Sequence, residues 1–189
     1  NAGQVRALLG RAASLPIYLH VAGALSVGAA GKDLAELYDM HQSGALAFTD
    51  GRKGTPTSGL LLRGLQYVTP FNGLVIDSPI DRLLAEEGMV AEGISAVRMG
   101  LKGIPALAEQ MVVERDISLL SHFPGRLHIG PIMTLEGLEM VQKAKAAGVH
   151  FTAETSALYL FLDAEDNESF DAVTKVFPPL REKSAVDAL

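Results

Sequence analysis

Arg126–Glu154, RLHIGPIMTLEGLEMVQKAKAAGVHFTAE, decides the fold. Arg126–Gly130 is short, apolar and closed by a Gly-Pro turn, which reads as a buried strand. Thr134 can cap a helix by accepting a backbone N–H bond, and Glu136 places a negative charge in the first turn, where the helix dipole favours it. Leu135, Leu138 and Val141, with Met140, Ala144 and Ala147, have the three- and four-residue spacing of a buried helix face. Gly148 ends the helix as a left-handed cap, and Val149–Glu154 is the next strand. A helix crossing between two buried strands makes those strands parallel. In such folds chemistry sits where strands end and helices begin, here Gly130–Thr134. That stretch carries no obvious catalytic group.

The same alternation runs through the rest of the chain. Helical spacing covers Gln4–Ala13, Lys32–Gln42, Ser58–Thr69, Ile94–Gly100 and Pro105–Ser121. Strands are expected at Pro16–Ala22, Gly44–Thr49 and Gly73–Asp77, with loops at Gly23–Gly31 and Arg52–Thr57. Asp81–Gly93 is mixed, Ala157–Leu162 is a short apolar segment and Ala164–Ser169 an acidic loop. Lys175–Arg181 is extended by its two prolines, and Glu182–Leu189 starts a last helix. Five strand–helix units predict an α/β fold with a parallel sheet. Strands this apolar need cover on both faces or closure into a barrel. A complete eight-stranded barrel needs roughly 200 residues or more, so five units in 189 residues read as the central to C-terminal part of one barrel domain, residues 1–189. An open doubly wound sheet is the competing architecture, but Gly23–Gly31 lacks the G-x-G-x-x-G spacing.

Composition narrows the function. The formal charge is −6 and no basic patch stands out, which argues against nucleic acid. No apolar run is long enough to span a membrane. With no cysteine, disulfides and thiolate-held zinc are excluded, and a reducing, cytoplasmic setting fits. The chain begins without Met inside a helical pattern, which reads as a piece of a longer protein.

Asp50, Asp77 and Glu154 all fall at strand C-termini and are the candidate catalytic residues. Together they could hold a divalent cation or act as acid and base. The plainer reading is that they cap loops and helix starts, as short polar residues at turns usually do. Ser78 lies in no nucleophile elbow. His20 sits near a strand end and could face a pocket; His128 and His150 read as packing or wrong-rim residues, His41 and His122 as exposed. Arg98 and Lys102 could form an anion site but read more simply as surface charges.

Several stretches resemble dihydroorotase, an amidohydrolase-superfamily enzyme of pyrimidine synthesis: Gly44–Gly51 (GALAFTDG), Glu92–Ile117 (EGISAVRMGLKGIPALAEQMVVERDI), Arg126–Ile129 (RLHI), Val149–Glu154 (VHFTAE) and Lys175–Arg181 (KVFPPLR). They stand in family order and span most of the chain. The resemblance implies a partial (β/α)8 TIM-like barrel and, in active relatives, zinc that activates water to attack a cyclic amide. The family's His-x-His strand and late catalytic Asp have no counterpart in these 189 residues. The family's Asp-Asp-Gly is reduced to Asp50-Gly51: ungapped, Gly51 takes the ligating position, and a one-residue shift would make Asp50 the ligand. Ser78 stands where the family's V-I-x-H-C-E-D has its His. Pro131 stands at the next metal His, Ala157-Leu158-Tyr159 replaces P-H-H, and Phe177 replaces the substrate-contacting Asn of N-P-P-L-R. Serine is a poor zinc ligand and proline offers no side-chain donor. The resemblance therefore implies a homologue without catalytic activity and with no bound cofactor, kept as a structural or regulatory protein. Its implied partner is an aspartate transcarbamoylase-like subunit or a second copy of itself. The alternative is an active cyclic-amide hydrolase whose remaining ligands lie outside this chain.

Overall fold

The computed structural model describes residues 1–189. In chain order the elements are α1 Ala2–Ala12, β1 Val21–Gly23, α2 Leu37–Gln42, β2 Ala45–Phe48, α3 Ser58–Val68, β3 Leu74–Asp77, β4 Val90–Ala91, α4 Ile94–Met99, β5 Gly103–Ile104, α5 Leu107–His122, β6 Leu127–Ile129, α6 Leu135–Ala146, β7 Thr152–Ala153 and α7 Lys183–Ala188. The main sheet has the order β1-β2-β3-β6-β7, and β1 with β2 and β2 with β3 pair in parallel. This is the α/β, parallel-sheet fold that the alternation predicts. No helix is long and apolar enough to cross a membrane.

The chain forms two compact units: Asn1–Ser78 with Leu119–His128 and His150–Thr152, and Pro79–Ser118 with Ile129–Val149 and Ala153–Leu189. In the first unit Leu25, Leu37, Met40, Phe48, Leu60, Leu61 and Leu65 are fully buried. Each such side chain contributes roughly 1.5–3 kcal/mol by leaving water. In the second, Ile80, Ala85, Ile104 and Ala108 make one apolar cluster, and Met133, Tyr159 and Leu180 another.

The central strand–helix–strand unit folds as its sequence directs. The Thr134 hydroxyl accepts from Gly137 N at 3.0 Å, and Gly148 takes φ 83° after α6. Gly130 is required: a Cβ there would lie 2.5 Å from Glu154 Cγ. Within α6 the buried residues are Gly137, Val141 and Ala144, while Leu135 and Ala147 are exposed.

Element ends differ from expectation for local reasons. The strand expected at Pro16–Ala22 is only Val21–Gly23, because its partner β2 begins at Ala45 after Gly44 at φ 101° and earlier residues have no rung to meet. The helix expected at Lys32–Gln42 begins at Leu37; before it, Leu34 pairs in an antiparallel bridge with Ser26, and Ala35 N donates to Leu25 O. The strand at Val149–Glu154 shortens to Thr152–Ala153. A small parallel pair, β4 with β5, lies where no strand was expected; at two residues each, neither leaves a periodic signal.

Candidate functional site

In the first unit, the two strand-end aspartates hold loops in place. Asp50 is buried just past β2; its Oδ1 accepts from Ser26 N at 2.9 Å and its Oδ2 from the Ser26 hydroxyl. The Ser26 hydroxyl in turn accepts from Gly31 N at 2.8 Å. Asp50 thus pins the Ser26–Gly31 loop to the end of β2. Asp77 closes β3 fully buried, and its Oδ1 accepts from Thr55 N at 2.6 Å. Gly54, at φ 65°, lets this loop close in, since a Cβ there would lie 2.5 Å from Ser78 O. Ser78 is itself buried, and Gly51 is exposed at φ 64°.

In the second unit, Glu154 is exposed, with its backbone bonded to Ile129 and Ile132. Pro131 is half-buried beside it. Phe177 packs against the Ile80 cluster, with the Arg82 guanidinium 5.0 Å from its ring centroid. Tyr159 is buried and donates its hydroxyl to Pro178 O at 2.8 Å. The positions that the resemblance aligns with metal- and substrate-contacting groups are here occupied by packing and loop-closing residues.

The histidines form no cluster. His20 is exposed. His128 Nδ1 lies 2.8 Å from Thr152 Oγ1. His41, expected at the surface, is half-buried and stacks on Phe71 with centroids 4.6 Å apart. Arg98 and Lys102 make no anion site: each meets a carboxylate, Glu168 at 3.2 Å and Glu87 at 3.1 Å. The Ser95 hydroxyl, and after it Arg98, hold the Glu168 carboxyl below its ordinary range.

The zinc that the resemblance implies does not fit the residues present. A catalytic zinc takes three protein ligands. Both Asp50 oxygens are engaged by Ser26, Gly51 has no side chain, and Ser78 and Pro131 offer no imidazole. No group of three or more His, Cys, Asp or Glu residues is placed to hold a metal ion.

The charged site that sequence reasoning missed lies in the second unit. Glu109 of α5 is fully buried. Its carboxylate accepts from Met133 N at 3.1 and 3.2 Å, Thr134 N at 3.1 Å and the Thr134 hydroxyl at 2.7 Å. Burial pushes its pKa up, opposed by these bonds and by the positive charge of Arg181. Arg181 is buried as well and donates through Nη1 to Ile104 O at 2.8 Å. Burial pulls its pKa down, and Glu109, Glu136 and Glu92 oppose that shift. The sequence did carry a signal. Glu109 falls on the stripe of Val112, Val113, Asp116 and Leu120, so a charge interrupts the buried face of α5. A pocket of about 160 Å³ opens beside Arg181, lined by Thr134, Glu136 and Glu182 among others.

Comparison with known proteins matches residues 6–137 to the family model described as dihydro-orotase-like. The chain is 39% identical over 167 residues to a dihydroorotase of Pelotomaculum thermopropionicum, covering 88% of this chain and 39% of that protein. It is likewise 39% identical over 169 residues to a dihydroorotase of Streptomyces coelicolor, covering 88% and 40%. The chain therefore spans about two fifths of the length of these relatives. Among solved structures it is similar to an L-hydantoinase (dihydropyrimidinase) from Arthrobacter aurescens, with a TM-score of 0.73, 18% identity, and coverage of 97% of this chain and 43% of that one. That likeness supports the fold, a section of a TIM-type barrel.

Proposed function

This chain belongs to the dihydro-orotase-like family, and from that premise we propose that it is part of a non-catalytic dihydroorotase homologue serving pyrimidine biosynthesis in the cytoplasm as a structural or regulatory barrel. One observation carries the reading. The strand-end groups that would bind zinc are committed to folding: both Asp50 oxygens are held by Ser26. Ser78 and Pro131 stand where the family motifs have histidines. The half-buried Phe177 and the buried Tyr159 extend the same pattern, because apolar packing takes the place of polar contacts. The proposed partner is an aspartate transcarbamoylase-like subunit or a second copy of the protein.

The test is metal analysis of the full-length protein purified without chelators, followed by a dihydroorotate hydrolysis assay with added zinc. The expected result is substoichiometric zinc and no turnover. A full equivalent of zinc with hydrolysis would establish the second reading, an active hydrolase. The dihydroorotase relatives favour that reading at 39% identity, and it would require ligands from outside these 189 residues.

A further inference from the structure

Another pocket of the second unit is walled by Met89, Met99, Leu101 and Phe170, with Asn167 among them. It lies between the end of α4 and the 3₁₀ turn Ala164–Ser169. Glu168 ties these two elements together, accepting from the Ser95 hydroxyl at 2.8 Å and from Arg98 Nη1 at 3.2 Å. Asn167 is only 6% exposed, yet its side-chain amide makes no hydrogen bond within the chain, and both amide atoms keep access to solvent. A buried amide left in that state is costly, and it presents a donor and an acceptor side by side to whatever enters the pocket.

The other walls suit a flat ring. The thioethers of Met89 and Met99 adapt to aromatic surfaces. Phe170 is 65% exposed, an uncovered aromatic face on which a ring can stack. Asp171 and Lys175, both exposed, line the pocket with opposite charges, so the lining favours a neutral ligand over either ion. Volume sets the size: a cavity of about 150 Å³ holds a six-atom ring, so this one, about 220 Å³, holds about nine ring atoms, a fused bicycle. On adenine an acceptor nitrogen adjoins the amino donor, the pattern with which an asparagine amide pairs in two bonds.

We propose that this pocket binds a purine base, one edge paired with the Asn167 amide and one face stacked on Phe170. It shares no residue with the strand-end positions, so its test is separate from the zinc analysis and reads binding rather than turnover.

The experiment is calorimetric titration of the full-length protein with adenosine. Purine riboside, which lacks the amino group, and uridine, whose ring is smaller, are the comparisons. Adenosine binds saturably, about tenfold tighter than either of them, as one lost hydrogen bond or a reduced stack requires. Phe170→Ala weakens adenosine binding by about tenfold or more while the circular dichroism stays native, because the ring it removes is exposed. Ala172→Trp, also at an exposed position on the lining, fills the pocket and abolishes binding. Equal affinity for purine riboside would remove Asn167 from recognition and overturn the pairing. Tighter binding of uridine would overturn the choice of a purine. No saturable heat at millimolar adenosine, or affinity unchanged in both variants, would refute the site.

Discussion

Gly137→Ala tests whether the buried Glu109 carboxylate organises the second unit. A Cβ at position 137 would lie 2.2 Å from Glu109 Oε1 and 2.8 Å from Thr134 Oγ1. Restoring contact distance moves Oε1 by about 1 Å or more, since unstrained heavy-atom contacts lie near 3.5 Å. That oxygen accepts from Met133 N, Thr134 N and the Thr134 hydroxyl. Losing two of these bonds, each worth roughly 1.5–3 kcal/mol to a charged acceptor, costs about 3–6 kcal/mol. The better helix propensity of alanine returns up to ~1 kcal/mol, leaving a net loss of about 2–5 kcal/mol. With a urea slope of roughly 2 kcal/mol per molar, the unfolding midpoint falls by about 1–2.5 M. The same substitution at Gly10 is the control. Gly10 lies inside α1 with nothing within 4 Å of the added Cβ, so alanine there stabilises by about 0.5–1 kcal/mol. Urea unfolding of the full-length protein, followed by circular dichroism, reads both. A Gly137→Ala midpoint within error of the parent would show that Glu109 does not need its observed position.

Two further outcomes follow from the buried carboxylates. Ser26→Ala removes the hydroxyl that bridges Asp50 and Gly31 N, leaving a buried carboxylate oxygen unpaired, and destabilises by about 1–3 kcal/mol in the same urea assay; a change under about half a kcal/mol would remove Asp50 from its loop-holding role. Glu109 gives a pH dependence of defined sign. Its pKa in the folded protein lies above the ordinary 4.5, so its favourable contribution is complete below that pH and is lost as pH rises through the raised value. Relative to Glu109→Gln, the parent protein loses stability as pH increases from about 4.5. Parallel stability–pH curves for the two proteins would refute it.

The sequence reading was right about the elements it could recognise by period and capping. Thr134 and Gly148 bound a helix between two strands, and the structure keeps both, whereas of the expected apolar face only Val141 and Ala144 are buried and Leu135 and Ala147 are exposed. It erred where pairing partners set an element's length: Pro16–His20 is apolar enough for a strand but meets no rung. It also looked for catalytic carboxylates at strand ends. The charged site lies on a helix face and at the far end of the chain, and residues 109 and 181 become neighbours only through folding. Charges on an apolar stripe, here Glu109 and Asp116, hint at such a site but do not name its partner.

The strand-end aspartates and Glu109 show how this chain holds its buried carboxylates. In a metalloenzyme, a strand-end carboxylate must leave lone pairs for the ion and rely on neighbours to orient it. Each Asp50 oxygen accepts one bond from Ser26, Oδ1 from its backbone N–H and Oδ2 from its hydroxyl. Asp77 is likewise drawn to the Thr55 backbone. These bonds satisfy buried carboxylate oxygens within the chain. Glu109 shows the same economy on α5, where backbone and hydroxyl donors surround a carboxylate that would otherwise be too costly to bury. Arg181 is the exception, because its Nε and Nη2 are buried without a hydrogen-bond partner.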